Sequence, residues 1–579
     1  MTRRRRAIAF ACIVALIAIA AAIAAPDEAQ LQPRSAAPAP ATPIAAASGT
    51  PAPLAHSWSP PRNAPHVTVA LASGGAIALP RSFLGFSIEV GDAVFDAHHL
   101  HLFAHAVDLI RIRGDGPQVL RVGGNSTDQS YWHRRLPVSR PPAFELGRTW
   151  LSGLRRIVDA IHARVILGVN AIADSPGMAA SLARSVSRQL PPHALVGLEV
   201  GNEPDLYTQR FAGVRAASIF AGRTRPQRAA SMTAAGYANT FASYAAALDR
   251  VARGVKLAGP AVANPLAGRA WLTGVIDQDR PALGVLTAHR YPLSNCFHTL
   301  RSPYFPTIGR LLSERASAGM AASVAPAIAL AHSHGLELRL TEFNSVSCLG
   351  RLGVSNTFAT ALWAPDALLE MLRTGVDGVN LHLRTFSVNA PFLFTSGGFV
   401  ARPAIYGLAL FARAFGPGAR LMPVALSGAR LRHLKVWAVL VGRHELHLLV
   451  IDKSSLGVRM TVRLPGATGA ATVQRLLAAS VRSTHGVTLA GQSLGPNGQW
   501  VGQRIVERLT PGAAGYGVAV RGYSAALLTV RIGSRSGEAL RRQGVRDHGG
   551  RLGHRAGPGA RARGARGEAR AVRHRRRAR

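Results

Sequence analysis

The residues best suited to carry chemistry in this sequence are two glutamates. Glu203 stands in Asn202-Glu203-Pro204-Asp205, and Glu342 in Leu340-Thr341-Glu342-Phe343-Asn344. Two carboxyls facing each other across a cleft are what cleavage of a glycosidic bond requires. One, protonated, gives its proton to the leaving oxygen; the other, ionised, attacks the anomeric carbon. Each segment alone is weak, because Asn-Glu-Pro occurs by chance and Glu342 reads equally as a strand-end carboxylate paired with an arginine. The pair gains weight from where each glutamate falls in the order of elements.

Between residues 83 and 417, short apolar β-type runs alternate with longer helical patterns. The predicted strands are 84–89, 119–123, 165–170, 196–202, 255–259, 285–289, 336–342 and 378–382; amphipathic stretches include 154–161, 234–251, 307–332 and 357–372. Strand–helix alternation predicts a parallel sheet. Eight strands, with no glycine-rich phosphate loop after the first, fit a (β/α)₈ TIM barrel, whose catalytic groups sit at the C-terminal strand ends. The polar residues at those ends are Glu89, Gly123-Gly124-Asn125, Asn170, Asn202 to Asp205, His289 with Tyr291, Glu342 and His382. Glu203 closes the fourth strand and Glu342 the seventh, so one cavity would hold both. Residues 418–532 change texture to short strands and read as an all-β sandwich, including a hairpin around Gly442-Arg443-His444. Residues 66–82 read as an N-terminal hairpin joining that sandwich.

Composition bounds the rest. The chain has 579 residues, 68 Lys+Arg against 29 Asp+Glu, and a net charge of +39. Hydrophobic residues make up 48%, which excludes wholesale disorder. Lysine occurs only at Lys256, Lys435 and Lys453, so the charge is almost all arginine, and a GC-rich coding bias accounts for part of it. Residues 1–25 combine Arg3 to Arg6 with an uninterrupted apolar run and read as a secretory signal or an uncleaved anchor; either way the protein is exported. Residues 26–65 are an Ala/Pro-rich disordered linker. Residues 533–579 are an Arg-rich tail expected to be disordered, either a polyanion-binding extension or simply a solvated one.

The motifs Leu120-Arg121-Val122-Gly123-Gly124-Asn125-Ser126, Val200-Gly201-Asn202-Glu203-Pro204-Asp205, and Glu342-Phe343-Asn344-Ser345 running on to Gly353-Val354-Ser355-Asn356-Thr357 together resemble glycoside hydrolase family 79, the β-glucuronidase and heparanase family of clan A. The resemblance runs from about residue 83 to about residue 532. It implies a retaining mechanism, with Glu203 as acid/base, Glu342 as nucleophile and Asn202 on the sugar 2-hydroxyl. It also implies that Glu89, Asn125 and Tyr291 line the sugar subsite. Family members that cleave glucuronides hold the C6 carboxylate with backbone amides of a glycine-rich loop after the nucleophile. Here that loop reads Ser347-Cys348-Leu349-Gly350, one glycine where two are common, and Leu349 restricts its conformations. Gly350 is the loop residue assigned to substrate binding.

Cys296 and Cys348 fall in the loops after strands six and seven, and read as a disulfide pinning the substrate loops or as two buried thiols. His289 reads as a structural histidine or a ligand, and Trp132 and Trp363 read as core. His382 has no acidic or cysteine partner at metal spacing, so no metal and no cofactor are expected. The sequence thus describes an exported retaining β-glycosidase, a β-glucuronidase acting on a carbohydrate containing uronic acid. A clan A enzyme on a neutral glycan, or a non-catalytic polysaccharide-binding surface protein, is the alternative. Nucleic acid is supported only by the terminal arginines and is not expected as a partner; oligomeric state is open.

Overall fold

The computed structural model describes residues 58–132, 144–211, 231–464 and 466–542, with the backbone of 545–546 and 552–553. The signal or anchor, most of the linker and most of the tail lie outside these residues. Among the described residues no helix is long and apolar enough to cross a membrane.

Eight parallel strands close into a barrel. In chain order they are Leu84–Glu89, Val119–Gly123, Arg164–Val169, Leu195–Val200, Lys256–Val262, Leu283–Arg290, Glu337–Phe343 and Gly378–Leu383, each bonded to its sequence neighbours and the last to the first. The first two strands are buried at every residue, as expected for strands walled by helices on one face and filling the barrel on the other. The helices between them have readable ends. Ser175 caps Pro176–Gln189 by accepting from the Met178 N–H, with proline in the first turn. Gly375, at φ 104°, closes Phe358–Thr374 in the left-handed conformation.

The barrel interior is not wholly apolar. Arg121 and Arg339 point inward, and glycines make room for them: a Cβ at Gly123 would lie 2.2 Å from Arg121, and one at Gly378 2.0 Å from Arg339. Arg339 donates to Asn380 at 2.6 Å and to the Ser82 carbonyl at 3.0 Å. The helix expected over 307–332 is broken into Ile308–Leu311, a 3₁₀ turn at Glu314–Ala316, and Ala318–Ser333. The break frees the Ala316 carbonyl to accept from Trp363 Nε1 at 2.9 Å and aims Glu314 at the second domain.

That domain is a sandwich of a four-stranded and an eight-stranded sheet. Leu434–Val441 and Glu445–Asp452 pair across the three-residue loop. The N-terminal strands do not form the expected hairpin. His66–Leu71 inserts between Val424–Gly428 and Val458–Arg463 in one sheet, while Ile77–Ala78 pairs with Arg420–Met422 in the other. A two-residue strand has too few ladder bonds to hold a hairpin. Two neighbours, by contrast, give His66–Leu71 five partners on each side and bury Val67 and Val69 in the sandwich core.

Two expectations of disorder are corrected. Residues 58–65 of the presumed linker dock on the sandwich: the Pro65 carbonyl accepts from the Arg459 N–H, the Pro61 carbonyl accepts from Arg459 Nη2, and Trp58 packs over Gly457. Ser534–Arg542, in the presumed tail, is a helix. Its composition suggested no core, but Leu540 packs on the sandwich core, and Gly537 lets the helix lie against the Arg443 backbone where a side chain would collide. Barrel and sandwich are joined by a buried ion cluster. Lys453 pairs with Asp366 at 2.8 Å, and Lys435 with Glu370 at 2.9 Å and Glu314 at 2.5 Å.

Candidate active site

At the C-terminal end of the fourth strand the chain turns sharply. Gly201 is at φ 73°, and a Cβ there would lie 2.4 Å from the Tyr207 hydroxyl. Asp128 fixes the turn from below by accepting from the Asn202 N–H at 3.0 Å and the Tyr207 hydroxyl at 2.7 Å. Glu203 then takes the left-handed conformation, φ 50° and ψ 55°, and its N–H donates to the Ala261 carbonyl at 3.0 Å. That conformation disfavours a side chain with a Cβ. Here it aims the carboxyl across the barrel mouth, where Oε1 lies 2.9 Å from His289 Nδ1.

Glu342 is the next-to-last residue of the seventh strand, buried, where the ladder to the eighth strand slips register between Leu340 and Phe343. Its Oε1 accepts from Arg121 Nη1 at 2.7 Å and its Oε2 from the Tyr291 hydroxyl at 2.9 Å. His382 Nδ1 lies 3.3 Å and His289 Nδ1 3.7 Å from Oε2. Arg121 is fully buried and distributes its nitrogens among Glu342, Glu199 at 2.7 Å and Asn202 Oδ1 at 2.7 Å. Burial alone would raise the Glu342 carboxyl; the charges of His289, His382 and Arg121 outweigh it and hold the group well below the carboxylate range. For His382, burial opposes the charged form, but Glu342 and Glu89 prevail and its pKa is raised. Asp205, beside Glu203, is pushed up to about 6 by burial and by the Glu203 charge.

Atoms of Glu203, His289 and Glu342 all lie within 4.8 Å of one another, a spacing at which a cation can bind. Each of these groups is already engaged, however: Glu203 with His289, and Glu342 with Arg121 and Tyr291. The arrangement leaves two carboxyls opposed across the barrel mouth with His289 between them.

The structure gathers most of the residues singled out in the sequence. Asn202 is buried, with its Oδ1 on Arg121 and its Nδ2 donating to Asn125 Oδ1 at 3.2 Å. Glu89 lies across from His382 at 3.6 Å. Tyr291 joins the carboxyl pair directly. Cys296 and Cys348 are bonded, with Cα atoms 5.8 Å apart. The loop after Glu342 curls through three consecutive left-handed residues, Cys348 at φ 56°, Leu349 at 66° and Gly350 at 81°. Leu349 therefore takes the conformation it disfavours, at a cost of about 1–2 kcal/mol, and its carbonyl accepts from the Val388 N–H at 2.8 Å. The contacts of Gly350 are with Asn389 and Ser355, and a Cβ would lie 2.6 Å from the Asn389 nitrogen, so its position demands glycine for packing as well as for φ.

Sequence reasoning undervalued three residues. His289 and His382 read as bland, and both touch the carboxyl pair. Arg121 reads in the sequence only as part of a motif, and it is the ion partner of Glu342. The signal was there: an arginine inside the apolar run Val119–Gly123 must face a paired anion in the barrel. Trp363 is core, stacked on Phe343 with ring centroids 5.2 Å apart.

No protein-family model matches the chain, and no curated protein matches it. Solved structures do. A 4-O-α-L-rhamnosyl-β-D-glucuronidase from Fusarium oxysporum 12S, in complex with Rha-GlcA, superposes with a TM-score of 0.62 at 16% identity, covering 80% of this chain and 100% of that one. A family 51 arabinofuranosidase from Xanthomonas axonopodis pv. citri gives 0.55 at 14% identity over 80% and 99%. The family 44 endoglucanase Cel44A from Clostridium thermocellum gives 0.52 at 12% identity over 81% and 100%. At these identities the likeness establishes the fold, a TIM barrel with an appended β-sandwich.

Proposed function

We infer that this protein is an exported retaining β-glycosidase whose preferred substrate is a β-glucuronide. The observation that carries the reading is the carboxyl pair: Glu203 and Glu342 present oxygens within 4.8 Å of each other at the barrel mouth. Retaining glycosidases hold their carboxyls about 5–5.5 Å apart, whereas inverting ones leave about 6.5–9.5 Å for a water.

The partners divide the labour. Glu342, held ionised by Arg121, attacks the anomeric carbon while Glu203 gives its proton to the leaving oxygen. Proton transfer leaves Glu203 as the carboxylate beside the glycosyl ester on Glu342. Glu203 then takes a proton from the incoming water, which displaces Glu342. The family resemblance gives Asn202, anchored by Arg121 and Asn125, the contact to the sugar 2-hydroxyl.

The uronate preference rests on the family 79 resemblance, on the likeness to a glucuronidase fold, and on the post-nucleophile loop. That loop is tied by the disulfide and the Val388 contact, and the family resemblance gives its backbone amides the sugar carboxylate, with Leu349 in place of a second glycine. Turnover of aryl β-glucuronide, β-glucoside, β-galactoside and β-xyloside tests it. The glucuronide is expected to give the highest kcat/KM. A neutral glycoside in first place removes the uronate assignment and keeps the mechanism; no turnover of any of the four contradicts the reading as a whole.

A further inference from the structure

Glu89 ends the first barrel strand, where the family resemblance sets it against the sugar. Its surroundings give it other partners. Oε2 accepts from the Ser126 N–H at 2.8 Å and from the Ser126 hydroxyl at 2.5 Å. Oε1 is buried and accepts no hydrogen bond among the described residues; it faces His382 Nε2 at 3.6 Å, itself buried with no hydrogen-bond partner. Gly124 covers the carboxylate, since a Cβ there would lie 2.5 Å from both oxygens. Neither oxygen is left facing the cavity for a sugar hydroxyl.

The protons can be counted from there. Tyr291 has one hydroxyl proton, and Glu342 Oε2, a carboxylate oxygen, can only accept it. The Tyr291 oxygen must then accept from His382 Nδ1 at 2.9 Å, so Nδ1 carries hydrogen. A bare lone pair on Nε2 would point at the Glu89 carboxylate, so Nε2 carries hydrogen as well. The surroundings of the ring agree: burial and the Arg121 charge oppose the cation, and Glu342 and Glu89 outweigh them. Arg384 acts on Glu89, which is held down at about 2: burial raises it, but His382, Arg384 and Ser126 outweigh burial.

We propose that Glu89 and His382 are positioning residues in this protein: Glu89 holds His382 as an imidazolium, and His382, through the Tyr291 oxygen, fixes the orientation of Glu342. This goes beyond the glycosidase reading and rests on it, and it takes Glu89 out of the sugar subsite.

The test is the pH dependence of kcat and KM for wild type, Glu89→Gln and His382→Gln on whichever aryl glycoside the wild type turns over. E89Q is expected to leave KM within about threefold, to lower kcat by roughly 10–100-fold above neutrality, and to move the alkaline limb down by about one pH unit or more. A KM rise of about tenfold or more with an unmoved pH profile, or no change at all, overturns the proposal. A second measurement needs no turnover and does not depend on E89Q. The imidazole nitrogen shifts of His382 in the wild type, assigned by their loss in H382Q, are expected to report a doubly protonated ring at pH 7, and a neutral ring there overturns the proposal. If the wild type turns over no glycoside, the functional reading falls while the ring measurement still decides the protonation.

Discussion

The molecule buries charge in two places, at the barrel mouth and between barrel and sandwich, and the two are wired differently. At the interface, Lys435 and Lys453 meet buried Asp366 and Glu370, with Glu314 and Arg373 at the solvent-exposed rim, so three cations face three anions. At the mouth, Arg121 is shared between Glu199 and Glu342, and Glu342 faces Glu203 as well. The first arrangement neutralises itself and holds two domains together. The second sets carboxylates opposite one another, the arrangement that the proposed chemistry needs. The choice of cation follows. A chain that carries nearly all its positive charge as arginine spends two of its three lysines at the interface, where a compact ammonium fits between carboxylates. At the mouth a planar guanidinium is needed to address Glu199, Glu342 and Asn202 with separate nitrogens.

The comparison is broken most directly at its chemical end. Glu203→Gln and Glu342→Gln should each lower kcat/KM on aryl glycosides by roughly 10⁴-fold or more; Glu342→Gln, which takes from buried Arg121 the carboxylate it holds ionised, should also melt below the wild type. Equal activity in either variant would make the mouth a second structural cluster.

Next in size are the cations. Arg121→Met strands Glu199 and Glu342, and Lys453→Met strands Asp366; each should cost about 3–5 kcal/mol in urea unfolding. The double variants then separate the two regions. K453M/D366L should recover most of the stability with activity intact, because a paired interface charge is replaceable by apolar packing. R121M/E199L should remain inactive however well it folds.

The pH dependence of stability comes third. Glu89 is depressed from 4.5 to about 2 in the folded protein. Its contribution is therefore full above the unfolded value, and is lost as pH falls through the folded one, about 3 kcal/mol in all. The stability gap between wild type and E89Q should close between pH 4.5 and 2; a gap that is constant over that window would contradict the ionised, hydrogen-bonded state of Glu89. The smallest effect is steric. Lys453→Arg should cost about 1–3 kcal/mol by overpacking with no effect on kcat, whereas Arg121→Lys should impair kcat more than stability.

The sequence made the barrel legible because each strand is a local apolar run with its own boundaries. Val119–Gly123 and Leu84–Glu89 can be read without knowing their neighbours, and counting to eight then implies closure. It also placed Glu203 and Glu342 at strand ends. What it hid were relations that exist only after closure. Arg121 and Glu342 are 221 positions apart, and His382 meets Glu89 only because the last strand bonds to the first. The N-terminal strands misled for the same reason: adjacency along the chain suggested a hairpin, and the partners that satisfy His66–Leu71 lie more than 350 residues away. The Ser534–Arg542 helix was masked by composition, since a single leucine and a single glycine decide how it docks.

Covalent trapping reaches the account most directly. Incubation with a mechanism-based uronic-acid inactivator of the aziridine cyclitol type, followed by peptide mapping, should place one label per chain on Glu342, with none on the E342Q variant. A label on Glu203 or Glu89, or an intact protein mass under conditions where the wild type turns over aryl glucuronide, would contradict it.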